Sequence, residues 1–282
     1  MRRNGDLRPI FRGVYLPRGI EDSLETRAAA AALILNDKQI VCDRAAAYLH
    51  GVDAYGLLEA PARPLETCVT RGGTRSRRRG LDGRVRDLHA DDIAVRGGIR
   101  LTTPMRTALD LGCSLPRHRA LGVMDEIARA YGLERAAFED AARRFRGRRG
   151  VVQLRHLIVL IDGRAESQRE SWVRLDIADA GLPPPEVQWR IVVGGEELWR
   201  LDLAYPDFKI AIEYDGFDFH RLTKEQIKHD AERRRWLREH HWTVIVITKE
   251  TLNGPSSTWL DQLREALRPR TRRFRWESKR AS

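Results

Sequence analysis

Two acidic side chains in apolar surroundings are the first sign of chemistry in this sequence. Asp202 lies among Leu201, Leu203 and Ala204, and Glu213 follows Ile210, Ala211 and Ile212. A carboxylate embedded in such a run is costly unless it serves a counter-charge or a ligand. The two runs flank Tyr205-Pro206-Asp207-Phe208, which reads as a hairpin turn. With Pro206-Asp207 as the turn, 205 faces 208 and 202 faces 211. Side chains alternate along a strand, so 211, 213 and 215 share the face of Asp202. Glu213 is then a diagonal neighbour of Asp202, about 7–8 Å away before side-chain reach. Like charges at that spacing repel unless a cation lies between them. Mg²⁺ takes oxygen ligands at about 2.0–2.1 Å and commonly uses one or two carboxylates plus phosphate oxygens. Asp215 adds a third acid to the same face, and Gly216 ends the strand.

Other groups stand within reach of that face. Glu166 and Glu170 lie one helical turn apart on a helix expected over 166–180, and Glu170 points at the pair if that helix packs across the sheet. His220 and Arg221 follow the strand in a loop, and Asp230 and Arg234 stand four residues apart on the next helix. Each has a plainer reading. Glu170 with Arg174, and Asp230 with Arg234, can be ordinary surface ion pairs, and His220 an ordinary loop residue.

The elements that would position these groups are legible in outline. Gly181 and Pro183-Pro184-Pro185 stop the helix. Strand-like runs follow at 187–193, 198–204 and 209–214, then a polar helix over 223–240, a short buried-type strand at 244–248 and a closing helix over 257–267. Helix, three strands, helix, strand, helix predicts an α/β sandwich with a mixed sheet. The first half reads as α+β. Residues 8–17 alternate as a strand or two, Ser23 caps a helix running to Leu35, and Asp43 caps a short helix ending at Gly51. Strands are expected at 66–71, 83–89 and 93–103. Thr103-Pro104 opens a helix to Gly112 with Thr as N-cap and Pro at its first position. Helical patterns follow at 116–130, 134–146 and 150–161. The boundary falls near Asp162-Gly163-Arg164, with 144–150 as the other candidate linker.

Composition narrows the function classes. The 282 residues favour two domains, and the formal net charge of +11 favours polyanions such as nucleic acid, although 45 of the 51 basic residues are Arg. Residues 1–150 carry net +9, 151–267 net −4 and 268–282 net +6. Basic clusters at 75–79, including Arg77, Arg78 and Arg79, at 143–149, and in the tail, including Arg272 and Arg273, are candidate DNA contacts. Phe274 and Trp276 add stacking surfaces to the tail. The longest apolar run, Ala28 to Leu35, is too short to span a bilayer, and no apolar h-region follows the basic N-terminus. Three scattered cysteines form no CxxC pair, which argues against a disulfide framework or a structural zinc site. A cytoplasmic chain is expected. No GxGxxG or Walker-type loop supports a nucleotide-binding enzyme.

Two resemblances sharpen this reading. The stretches ESQRESWVRLDIADAGLPPPEVQ, RLDLAYPDFKIAIEYDGFDFHR and DAERRRWLREHHWTVIVIT resemble the very-short-patch-repair-like branch of the PD-(D/E)XK nuclease superfamily, over about residues 163–268. The resemblance implies a restriction-endonuclease-like α/β domain with a mixed central sheet. It also implies that Asp202 and Glu213 bind a divalent metal, that Glu170 holds the metal or a water on it, and that His220 matches a histidine near the active site. The lysine position of the motif is Asp215 here, with His220 or Lys209 as candidate substitutes. The first half is similar to the abortive-infection type IV antitoxin family, on RGVY at 12–15, the AAxYLHG run at 45–51 and LTTPMRTALDL at 101–111. Such proteins begin with a winged helix-turn-helix, of which only the wing-like 8–17 is found in this sequence.

The expected organisation is an antitoxin-like α+β domain over 1–160, a nuclease-like domain over 163–268 and a basic tail over 269–282. The expected function is a Mg²⁺- or Mn²⁺-dependent DNA endonuclease in repair or phage defence. Asp202, Glu213 and Glu170 would hold metal, Asp215 would stand beside them, His220 would move protons, and Arg221 or Arg234 would offset developing charge. Its partners would be DNA and a cognate toxin or repair protein. The alternative is a non-catalytic DNA-binding regulator or antitoxin-like protein on a degenerate nuclease fold.

Overall fold

The computed structural model describes residues 6–55, 64–76, 81–215, 224–252 and 258–277, with backbone only at 224–227 and 269–277. The chain divides into two units, Met1–Gly163 and Arg164–Ser282, and both are mixtures of helices and mixed sheets.

In the first unit β1 (Leu7–Phe11) and β2 (Val14–Pro17) form an antiparallel hairpin. Ser23 caps α1 (Leu24–Ala32), its hydroxyl accepting from the Thr26 N–H. Then come β3 (Ile40–Val41), α2 (Asp43–Leu49), β4 (Leu65–Thr70), β5 (Leu81–Arg86), β6 (Ile93–Arg96) and β7 (Ile99–Thr102). They build a sheet of order β5-β4-β3-β7-β6, in which β4/β5 and β3/β7 are parallel and the other neighbours antiparallel. The small side chains Ala28, Ala31, Ala45 and Ala46 let α1 and α2 lie close to Val41, Leu65 and Leu101 in one core. Four helices complete the unit: α3 (Pro104–Ser114), α4 (Arg117–Tyr131), α5 (Arg135–Ala141) and α6 (Val151–Ile158). Thr103 caps α3 with Pro104 in its first turn, as the sequence predicts.

The expected cap of α2 is corrected. Asp43 lies inside the helix, and Glu66 of β4 supplies the carboxylate, accepting from the Arg44 and Ala45 N–H groups at 2.7 and 3.2 Å. Asp43, at φ +53°, turns instead to Arg86, whose Nη2 donates to both its oxygens at 2.6 and 2.7 Å. Arg86 also pairs with Asp110. Arg106 bonds Asp110 through Nε and Asp92 through Nη1, each at 2.8 Å. Arg144 pairs with Asp92, and Arg148 reaches Asp110 at 3.4 Å. Asp43, Asp92, Asp110 and Arg106 are buried, so removing any one would strand charge away from water, at roughly 3–5 kcal/mol. This network explains the Arg106…Asp110 spacing inside LTTPMRTALDL.

In the second unit Ser167 caps α7 (Gln168–Asp179), accepting from the Glu170 N–H. The meander β8 (Glu186–Val193), β9 (Glu196–Tyr205) and β10 (Ile210–Asp215) is antiparallel. The helix α8 (Lys224–Glu239) then leads to β11 (Thr243–Thr248), which pairs parallel with β10, giving the order β11-β10-β9-β8. A short α9 (Lys249–Leu252) precedes α10 (Thr258–Glu277). One sheet face packs Leu203, Ile210, Ile212, Ile245 and Ile247 against Val173 and Ile177 of α7 and Trp259 and Leu263 of α10. The other carries Leu201, Ala204 and Ala211 against Leu237 of α8.

His50, from the AAxYLHG run, is buried at the C-terminal end of α2. Its Nε2–H donates to the Thr102 carbonyl (2.8 Å) and its Nδ1 faces the Tyr131 hydroxyl at 3.0 Å. Burial disfavours the imidazolium and pulls its pKa from 6.5 to about 4. The unfolded chain therefore takes up this proton first as pH falls. The stability that neutral His50 permits is intact above about pH 6.5 and is lost as pH drops toward 4. Urea denaturation should show about 2 kcal/mol less stability at pH 5 than at pH 7 from this group, and His50→Gln should remove that component of the pH dependence. An identical pH dependence in the variant would contradict this assignment.

Candidate functional site

The turn between β9 and β10 is longer than the sequence suggests, and this relocates the acidic pair. Pro206–Phe208 forms a 3₁₀ turn and Lys209 takes φ +50°, so four residues, not two, make the connection. The register becomes Ile210↔Tyr205, Ala211↔Ala204 and Ile212↔Leu203. The ladder ends at Ile212↔Leu203, and the same offset carried one residue further would set Glu213 opposite Asp202 instead of diagonal to it. A shift of two residues preserves the period-two alternation, but the alternation itself breaks around Asp202, since Leu203 packs on the α7/α10 face and Leu201 and Ala204 on the α8 face.

Asp202 and Glu213 come together with Glu170, in unequal surroundings. Glu170 is an N-terminal capping residue. Its Oε1 accepts from Ser167 Oγ (2.8 Å), and its Oε2 from the Glu166 N–H and from Gln188 Nε2 (both 3.0 Å). The pattern resembles a capping box, with Ser167 at the cap and Glu170 three residues on. Glu166 lies before the helix, not on it, and pairs with Arg200. Glu213, only 2% exposed, faces two arginines of α8. Arg234 Nε donates to its Oε2 at 3.2 Å, and Arg233 Nη2 stands 3.2 Å from its Oε1. The Arg233 approach is out of line for a hydrogen bond, so among the described residues Oε1 has an ion-pair partner but no hydrogen-bond donor. Arg234 also reaches Asp215 at 3.3 Å. The expected Asp230–Arg234 pair is replaced by Asp230–Arg233 at 3.5 Å, because the Arg234 guanidinium is drawn to two carboxylates on the strand.

Asp202 receives least. Burial, and then the charges of Glu170 and Glu213, push its carboxyl up to about 7, while Arg233 and the Tyr214 N–H pull the other way. Near neutral pH this group shares a proton with solvent, and it would gain from a cation. Among the described residues no three His, Cys, Asp or Glu side chains converge as a metal cage. Glu170 is already held by three donors and Glu213 by two arginines, so Asp202 is the acid of the three whose carboxyl is raised. Lys209, a candidate for the missing lysine, stands before β10, at the other end of the strand from Asp215. Its Nζ bonds the His240 carbonyl (3.2 Å), so it does not serve the site. Arg234 is the cation beside Asp215.

Sequence reasoning missed Gln188 and Arg233. Gln188 has φ +54° inside β8, a conformation that costs an L-residue about 1–2 kcal/mol. The ladder between β8 and β9 runs Val187↔Leu203 and Trp189↔Leu201, which puts Gln188 across from Asp202. Only that register marks it. His220, Arg221, Arg77, Arg78 and Arg79 lie outside the described residues, as does Gly216. Arg272 and Arg273 lie on α10, where the side chains are outside them.

Residues 39–160 match the family model described as AbiEi antitoxin C-terminal domain. Two proteins of Mycobacterium tuberculosis are similar over most of their length: uncharacterized protein MT2308 (strain CDC 1551 / Oshkosh) and uncharacterized protein Rv2248 (strain ATCC 25618 / H37Rv). Each is 34% identical over 256 residues, covering 87% of this chain and 86% of the relative. No solved structure matches significantly. No helix among the described residues is long and apolar enough to cross a membrane.

The Asp202 shift predicts a trade between stability and site chemistry. A carboxyl raised from 3.8 to about 7 destabilises the fold progressively as pH rises through that interval, because the folded chain holds the proton more tightly than the unfolded one. Asp202→Asn removes the repelled charge. After a discount for solvent screening, the variant should be about 1–2 kcal/mol more stable than wild type at pH 8 in urea denaturation. A destabilised Asp202→Asn would show that the carboxylate is structurally needed.

Proposed function

Because the chain belongs to the family of the mycobacterial proteins Rv2248 and MT2308, and its residues 39–160 match the AbiEi antitoxin C-terminal domain, we propose that it is an antitoxin-type, DNA-binding regulator with a cognate toxin as partner. The family match carries this reading. The chemistry of the same segment supports it. Arg84, Arg144 and Arg148 have partly exposed guanidinium groups tethered to Asp43, Asp92 and Asp110. An arginine already held by a buried carboxylate loses less side-chain freedom when it meets a phosphate. Residues 1–150 carry net +9, which favours encounter with a polyanion. Fluorescence anisotropy with duplex DNA should give an affinity that falls steeply with salt. Arg144→Ala and Arg148→Ala should each weaken binding and lower the slope of log K against log salt by about 1. Affinity independent of salt and of both substitutions would sink this reading.

A second reading, a divalent-metal-dependent endonuclease, is favoured by one observation: the under-neutralised Asp202 beside Glu213 and Glu170. Asp202 and Glu213 would hold Mg²⁺ or Mn²⁺, with Glu170 alongside. Such a cation, when bound, supplies Lewis-acid polarisation of a phosphodiester. Arg233 and Arg234 would keep the strand acids partly neutral and offset charge developing on phosphate. His220 would hold or release the proton, and Arg221 would bind phosphate. The reading predicts nicking of plasmid DNA that needs Mg²⁺ or Mn²⁺ and is lost in Asp202→Ala and in Glu213→Ala. Binding without cleavage in a panel of plasmid, mismatched and single-stranded DNA leaves the regulator reading alone.

A further inference from the structure

The first unit has a cavity of about 230 Å³ where the end of α1 and the turn after it face the start of β7. That is below the roughly 300–1,000 Å³ of drug-sized pockets, so it suits a small metabolite. Ala32, Leu35 and Ile99 give it apolar walls. None of the described residues that line it is aromatic, so a planar base would find nothing to stack on. An aliphatic group fits such walls better.

Three polar groups open onto this space: Asp37, Gln39 and Arg100. Two are charged and do not pair. Arg100 donates through Nη1 to the Asp37 carbonyl at 3.4 Å, a long contact. Among the described residues its guanidinium meets no carboxylate, and the Asp37 carboxylate meets no cation. Gln39 is only 5% exposed, and its Oε1 accepts from the Asn36 N–H at 2.9 Å. Its Nε2 has no partner among the described residues, yet it is not cut off from solvent, so the amide opens into the cavity it lines. A buried donor without an acceptor is costly unless a ligand or water meets it. The end of α1 adds a fixed partial charge. The C-terminal end of a helix is partially negative, and α1 has no basic residue in its last turn. An ammonium group would therefore be favoured beside Asp37 and the helix end, and a carboxylate beside Arg100 and Gln39. A plain carboxylate would be repelled by Asp37 and a plain amine by Arg100. A molecule that carries both charges meets neither objection.

We propose that this cavity binds a small aliphatic α-amino acid as its zwitterion. Arg100 and Gln39 Nε2 take the carboxylate, Asp37 and the end of α1 take the ammonium, and Ala32, Leu35 and Ile99 cover the side chain. The proposal rests on neither functional reading above. Isothermal titration calorimetry of the full-length protein tests it with L-leucine and with the two molecules that lack one of its charges, 4-methylpentanoate and isopentylamine. Leucine should bind, and each of the other two about 10–100-fold more weakly, as expected for loss of one charge-assisted contact. Asp37→Asn should weaken leucine but tighten 4-methylpentanoate, because it removes the repulsion. Arg100→Met should weaken leucine and tighten isopentylamine. A residue needed only for folding would not shift the preference in opposite directions. Gln39→Glu keeps the Oε1 acceptor and should weaken leucine about tenfold. Ala32→Phe, at an exposed position, fills the cavity and should abolish binding. No heat from leucine, valine or methionine would overturn the proposal. So would 4-methylpentanoate or isopentylamine binding as tightly as leucine, or leucine binding that survives Ala32→Phe. Should Ala32→Phe fail to fold, Asp37→Asn, on the exposed turn, carries the comparison.

Discussion

A carboxylate removed from water must be given donors or a positive charge, and this requirement organises both units. In the first, Asp43, Asp92 and Asp110 are met by Arg86, Arg106, Arg144 and Arg148, which stitch α2, β5 and α3 to the segment before α6. In the second, Glu213 is met by Arg233 and Arg234 and Glu170 by three donors. Such pairs contribute little net stability over apolar packing, but breaking one is expensive. Their cost when broken disfavours assemblies that leave a buried acid without a partner. Asp202 is the exception, and its carboxyl, raised to about 7, marks the place where the rule is relaxed.

The two units use this constraint to different ends. The network of the first unit is closed at its centre and open at its edge, with buried carboxylates inside and guanidinium groups emerging at Arg84, Arg144 and Arg148. That geometry presents fixed positive charge outward. The cluster of the second unit is reversed. Arg233 and Arg234 of α8 turn onto Glu213 and Asp215 of β10, and the raised Asp202 carboxyl lies on the neighbouring β9. The charge division along the chain, net +9 over 1–150 and net −4 over 151–267, is thus matched by arrangement within each unit.

Much of this was legible in the residues. Alanine runs, the Thr103-Pro104 start and the helix–strand order of the second half follow from local propensity and period, and the structure realises most of them within a few residues, although the closing helix runs to Glu277, well past the expected 267. The acidic pair was legible because apolar neighbours make buried carboxylates conspicuous. The length of the β9–β10 connection was not, since a 3₁₀ turn with Lys209 at positive φ has no strong signature without glycine or asparagine. The cap of α2 was misassigned for a related reason: Asp43 has the right type and place for a cap, but Arg86, far along the chain, claims its carboxylate, and Glu66 takes over the role.

The sequence by itself determined most of the elements, their order and the placing of Asp202 and Glu213 on neighbouring strands, because side-chain period and turn signals are local properties. Only the tertiary structure decided which cation meets which acid, that Glu170 is held by Gln188, and that Asp202 lacks a full counter-charge. Those outcomes depend on distances between segments far apart in sequence, where a shift of one helical turn of α8 would exchange Arg234 for a neighbour. They also depend on burial, which no single residue type specifies.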